Sequence, residues 1–109
     1  MGDIEVRYKV WLVKDGKPIL GKGGAELLKA IEEKGSLHAA AEALGYSYSF
    51  AWSYLKKLEE RAGVTLIERR RGGQRHGGMV LTEEARKLLK LYLEAERVVG
   101  EALSQIQAD

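Results

Sequence analysis

The 109 residues include no cysteine, a single proline and only two histidines. Without cysteine there is no disulfide scaffold, no thiolate zinc site and no thiol nucleophile, and a reducing compartment fits the composition. No apolar run approaches the ~18 residues that span a bilayer, and the N-terminus lacks a charged-then-apolar secretory pattern. A soluble, cytoplasmic protein with no membrane partner is therefore expected. Charge of one sign is also scarce. Eighteen lysines and arginines against 16 acids leave a formal net charge of +2, too little to argue for a polyanionic partner unless the charge is concentrated somewhere. His38 and His76 have no obvious acid partner, no nucleophile motif is present, and the carboxylates scatter as solubilising charge. Neither an enzyme, a metal site nor a cofactor is expected. No internal repeat is evident, and the length suits one domain that buries roughly 65% of its unfolded surface.

What is present is organised around residues 36 to 71. Leu37, Ala40, Ala41 and Leu44 repeat at three and four residues, and the two small alanines admit a close helix crossing. Gly45 follows, a residue that takes positive φ where a helix stops abruptly. Ser47 then stands as N-cap of a second helix, whose core stripe is Ala51, Leu55, Leu58 and Ala62. Ser49, Trp52, Ser53, Lys56 and Glu60 face away. Two helices joined by so short a turn form a helix-turn-helix signature.

Before this unit, Ile4 to Val13 alternate, with Ile4, Val6, Tyr8, Val10 and Leu12 on one face, which predicts a strand with one buried face. Trp11 and Val13 imply partial cover of the other face. Asp15-Gly16 predicts a turn into a short return strand at Lys17–Leu20, with Pro18 favouring an edge. Gly21, Lys22, Gly23 and Gly24 lack the spacing of a phosphate-binding loop and read as a flexible connector. A first helix over 25–34 is closed by Gly35 and should pack behind the helix pair.

After the unit, Thr65-Leu66-Ile67 and Met79-Val80-Leu81 read as a two-stranded wing around a tip that holds Gln74, Arg75 and His76 between glycine pairs. Thr82 is the expected N-cap of a last helix, with Glu83 and Glu84 in its first turn. Ala85, Leu88, Leu89, Tyr92, Ala95, Val99, Ala102, Leu103 and Ile106 recur along it at three and four. Run to Ala108 it would be roughly 40 Å long, more than the domain can cover, so its outer part is expected to meet a second copy. The N-terminal hairpin has three open placements: extending the wing sheet, which is favoured because that edge is otherwise unpaired, covering the first helix, or joining the dimer contact.

The residues Ala40, Ala41, Leu44, Ser47, Leu58, Glu59, Gly63, Leu66, Arg69, Leu81 and Thr82 give the stretch 36–85 a resemblance to the winged helix-turn-helix of LysR-type regulators. Ser47-Tyr48, Ala51-Trp52, Gly72-Gly73, Gly77-Gly78 and Val80-Leu81-Thr82 resemble still more the N-terminal domain of molybdate-responsive, ModE-type regulators. The fold this implies is mainly α with small β: one winged helix-turn-helix domain over 1–109, with a β-hairpin over 1–21, helix-turn-helix and wing over 24–82, and a long dimerisation helix over 83–108. Ala85 stands where both families usually have glycine. ModE-type chains continue into oxyanion-binding domains, so molybdate sensing is not carried over. No effector domain is expected in this sequence, so any effector control needs a separate effector-binding subunit or does not exist.

The implied function is a homodimeric, sequence-specific regulator of double-stranded DNA. Ser47, Tyr48, Ser49, Ser53, Lys56 and Lys57 are the candidates on the recognition helix, with Lys57 toward phosphate. Arg69, Arg70, Arg71, Arg75 and His76 are the wing candidates for phosphate or the minor groove. Arg69 and Arg71 should share a strand face opposite Arg70, and one set has Glu68 or Glu59 as an alternative partner. Trp52 packs against the wing base or first strand, or meets DNA. Phe50 and Tyr54 read as core, and His38 as a surface histidine. Two other functions stay open: sequence-tolerant architectural DNA binding, and a winged-helix protein-interaction module.

Overall fold

A computed structural model describes residues 2–70 and 78–107, without the side chain of Gln107. Its elements run β1 (Leu12–Lys14), β2 (Lys17–Leu20), α1 (Lys22–Lys34), α2 (Leu37–Leu44), α3 (Tyr48–Ala62), β3 (Ile67–Arg70), β4 (Gly78–Leu81) and α4 (Glu83–Gln107). Local chemistry sets most boundaries. Asp15 and Gly16 both take positive φ, 51° and 79°, the pair of left-handed residues that a tight antiparallel hairpin requires. Gly35, Gly45 and Gly63 end α1, α2 and α3 in the left-handed region. Ser36 and Ser47 cap the next helices by accepting from the Ala39 and Phe50 N–H groups at 3.0 and 3.1 Å.

α1 lies at the centre, with Leu27, Leu28 and Ile31 fully buried among Leu37, Ala40, Leu55, Leu66 and Leu81 from α2, α3 and the wing. It starts earlier than expected. Gly21 is its N-cap and Lys22 its first residue, so the glycine tract is helix rather than connector. A Cβ on Gly24 would stand 2.8 Å from Leu20 Cδ1 and 2.9 Å from Leu58 Cδ2. Only a glycine lets α1 approach β2 and α3 so closely.

The β-strands form two separate antiparallel pairs, β1 with β2 and β3 with β4, which corrects the expected union of hairpin and wing. The hairpin instead buries Ile19 and Leu20 in the core, while Lys14 Nζ donates to the Ala62 carbonyl at the end of α3, 3.3 Å away. The predicted long first strand is also corrected. Only Leu12–Lys14 is strand; residues 4–11 belong to neither sheet, and Ile4, Val6, Tyr8, Trp11 and Val13 are exposed. Alternation fits a strand, but a strand exists only where a neighbour completes its ladder.

The wing is tied down at its base. Met79 N–H donates to the Gly35 carbonyl at 2.7 Å and Thr82 N–H to that of Leu66 at 3.0 Å. The Thr82 hydroxyl donates to the Thr65 carbonyl at 2.8 Å and accepts from Ala85 N–H at 3.1 Å, so one side chain joins the segment leading into β3 to the start of α4.

Candidate nucleic-acid interface

α3 presents three faces. Ala51, Leu55, Leu58 and Ala62 are buried, as their spacing predicts. Trp52, expected to face away from the core, is half-buried, whereas the six recognition-helix candidates Ser47, Tyr48, Ser49, Ser53, Lys56 and Lys57 are all exposed. They are not equally free. Ser47 uses its hydroxyl oxygen as the cap acceptor. Tyr48 has its ring beside that of His38 on α2, centroids 6.1 Å apart. Lys56 Nζ lies 4.5 Å from the centre of the half-buried Trp52 ring and 3.3 Å from Glu59 Oε1, which leaves Ser49, Ser53 and Lys57 as the uncommitted polar groups.

Glu59 links this helix to the wing. Its side chain is only 14% exposed, and Oε2 accepts from Leu66 N–H at 2.8 Å just before β3 begins. A carboxylate accepting a backbone N–H in so enclosed a position makes a strong, charge-assisted bond. It fixes where the wing leaves α3. Sequence spacing offered Glu59 as an arginine partner; among the described residues it instead meets Lys56 and the Leu66 N–H.

In the wing, Ile67 pairs with Leu81, Glu68 with Val80, Arg69 with Met79 and Arg70 with Gly78. Arg69 thus shares the face of buried Ile67 and Met79, at its exposed outer end, and Arg70 lies on the other face beside Glu68. No ion pair joins either arginine to an acid among the described residues. Arg71, Arg75 and His76 fall outside the described residues.

Phe50 corrects the sequence reading. Expected in the core, it is 52% exposed in the first turn of α3. Its ring stands edge-on to Tyr46, centroids 4.9 Å apart, and 5.9 Å from Tyr54. Tyr46 and Tyr54 themselves pack against the core. Burial pushes the Tyr54 hydroxyl above its ordinary pKa, Tyr46 adds to this and Arg61 opposes it. Position 50 sits 100° round the helix from Ala51, a flank that spacing alone leaves undecided.

α4 is divided between two apolar faces. Ala85, Leu89 and Tyr92 are buried in the domain's own core, so these three of the expected dimer residues are not on the surface. Leu88, Ala95 and Leu103 are half-buried, and Val99, Ala102 and Ile106 are exposed. Leu91 and Val98, which the seven-residue spacing of Ala85, Tyr92, Val99 and Ile106 passed over, are 56% and 50% exposed. At 100° per residue Leu88, Leu91, Ala95, Val98, Ala102 and Ile106 make one stripe, exposed at Leu91, Val98, Ala102 and Ile106 and half-buried at Leu88 and Ala95.

Three helices with a short glycine turn between the second and third, followed by a two-stranded hairpin, define a winged helix-turn-helix domain. Residues 24–86 match the model of the bacterial regulatory helix-turn-helix proteins, lysR family. The chain belongs to that family of bacterial regulatory helix-turn-helix proteins. Among curated relatives it is similar to Transcriptional regulator ModE of Haemophilus influenzae, 38% identical over 81 residues that cover 74% of this chain and 32% of that protein. It is likewise 38% identical over 66 residues to the DNA-binding transcriptional dual regulator ModE of Escherichia coli K12, covering 61% of this chain and 25% of that one. The chain thus spans a third or less of the length of these relatives. Among solved structures, the CbnR_DBD-DNA complex matches with a TM-score of 0.59 and 25% identity over 77% of this chain and 91% of that one. ArgP from Mycobacterium tuberculosis matches at 0.56 and 29% identity over 76% and 29%. No helix among the described residues is long and apolar enough to cross a membrane.

Proposed function

We propose that the chain acts in the cytoplasm as a homodimeric, sequence-specific regulator, with the N-terminal half of α3 in the major groove of double-stranded DNA and the wing arginines on phosphates or in the minor groove. The observation that carries this reading is the exposed set Tyr48, Ser49, Ser53 and Lys57 on α3, held beside an arginine-bearing hairpin by Glu59. The structural likeness to a domain seen on DNA supports it. In this reading Ser49 and Ser53 reach base edges, Lys57 a phosphate, and Lys56 exchanges Glu59 and Trp52 for DNA when it engages.

The dimer contact belongs to the same proposal. Leu88, Leu91, Ala95, Val98, Ala102 and Ile106 form its seam, as heptad packing of one α4 on another requires. Two copies would present their α3 helices about 34 Å apart, or a multiple of it, and a palindromic site follows. An effector-binding subunit would show itself as a copurifying protein that changes DNA affinity.

The test is selection of bound duplexes from a random pool, then salt titration on the winners. Enrichment of a palindrome with half-sites one or two turns apart supports the proposal. Salt-sensitive binding without enrichment replaces it with architectural binding. Replacing Arg69, Arg70, Arg71 and Arg75 by alanine should reduce the salt slope by about 0.9 for each phosphate that an arginine no longer neutralises; an unchanged slope takes the wing off the DNA.

A further inference from the structure

We infer that Phe50 is a base-reading residue that packs on the 5-methyl group of a thymine in each half-site; the inference rests on the proposed insertion of α3 into the major groove. Phe50 is 52% exposed in the first turn of α3, next to Ser49 and one helical turn from Ser53. Phe50 is not loose there. Tyr46 backs it edge-on from the turn and Tyr54 from the following helical turn, so the ring is held with one side open. A rigid apolar surface at the groove end of a recognition helix matches the one apolar group the major groove offers, the thymine methyl.

The surroundings favour a nucleotide over a purely apolar occupant. Phe50, Ser53, Tyr54, Lys57 and Arg61 line one hollow of about 240 Å³ that runs along the flank of α3. Lys57 and Arg61 have no ion-pair partner among the described residues. The hollow is apolar where α3 begins and cationic further along, as a thymine methyl followed by the phosphates of its strand requires. Serine hydroxyls read bases weakly, so Phe50 supplies discrimination that Ser49 and Ser53 do not.

The experiment uses the duplex selected by the full chain, with each thymine replaced in turn by deoxyuridine, which removes only the methyl. The selected half-site should contain a thymine whose replacement weakens wild-type binding about fourfold, and about fifteenfold when both half-sites are changed. Phe50→Ala should bind the thymine duplex as weakly as wild type binds the deoxyuridine duplex, and be indifferent to the replacement. Phe50→Leu, which keeps an apolar side chain, should recover part of the preference. Far-ultraviolet circular dichroism checks that each variant is folded. Wild-type affinity that ignores every replacement overturns the inference, as does a methyl effect that survives in folded Phe50→Ala. An intact DNA affinity in Phe50→Ala also overturns it and turns the hollow toward an acidic protein partner. Failure to select any duplex would remove the proposed function itself, a different result.

Discussion

Replacing Glu59 tests how the wing is set against α3. Glu59 Oε2 accepts the Leu66 N–H at 2.8 Å, and Leu66 is 1% exposed. Removing a charged acceptor from an N–H costs about 1.5–3 kcal/mol, because the donor has no ready replacement. The Lys56 pair is half-exposed and adds at most about 0.5 kcal/mol, while alanine returns a few tenths through helix propensity. Glu59→Ala should therefore lose about 2 kcal/mol. At roughly 4 °C per kcal/mol for a domain of this size, its thermal midpoint falls by about 8 °C. Glu59→Gln keeps an oxygen in place without the charge and should lose about half as much. Both variants release Lys56, so nonspecific duplex binding by the folded glutamine variant should tighten at low salt. Urea melts of the three proteins measure the order wild type, Gln, Ala. A Glu59→Ala protein within about 0.5 kcal/mol of wild type would show that the carboxylate does not fix the wing.

Gly24 and Gly100 should respond oppositely to alanine. A Cβ at Gly24 meets Leu20 and Leu58 inside the core and should cost about 1–2 kcal/mol net in a thermal melt. At Gly100 it meets only the ring end of Tyr8, an exposed side chain whose hydroxyl donates over a long 3.4 Å to the Glu96 carbonyl and can turn aside. Gly100→Ala should gain up to about 1 kcal/mol of helix propensity, with equal losses at both sites counting against this packing. Tyr92 has its pKa raised to about 12 by burial and by the bond from its hydroxyl to Glu96. Its stabilising contribution is complete below pH 10 and is lost as pH rises through about 12, because the unfolded chain ionises first. Urea melts across that interval should be flatter in Tyr92→Phe, and an unchanged slope would contradict the assignment. Leu91→Glu with Val98→Glu places like charges in the α4 seam, so sedimentation should report a folded monomer; a persistent dimer would place the contact elsewhere.

The parts of the fold that were legible are those whose cause is local. Gly45 stops α2 and Ser47 caps α3 through chemistry local to the turn, so α2 and α3 appear where their spacing predicts. The misreadings lie where a distant neighbour decides. Residues 4–11 alternate like a strand but lie outside both sheets. The Gly-Lys-Gly-Gly tract is helix, and its glycines at 23 and 24 answer to Tyr54 and Leu58, which a Cβ there would crowd. A 25-residue amphipathic helix carries more apolar surface than one neighbour needs. Which stripe of α4 is core, and that Leu91 and Val98 are free, depends on where α1 lies. Within the candidate interface the exposed side of α3 was readable from period alone. The engagement of Lys56 by Trp52 and Glu59, and the exposure of Phe50, needed the folded chain.

The most direct measurement is an anisotropy titration of the chain with its selected palindrome and with a scrambled duplex of equal length and composition, from about 50 to about 200 mM salt. Sequence-specific reading by α3 predicts tighter binding to the palindrome at every salt concentration, over a background that weakens steeply for both as counterions are reabsorbed. Equal affinities throughout, or no binding at the lowest salt, would contradict it.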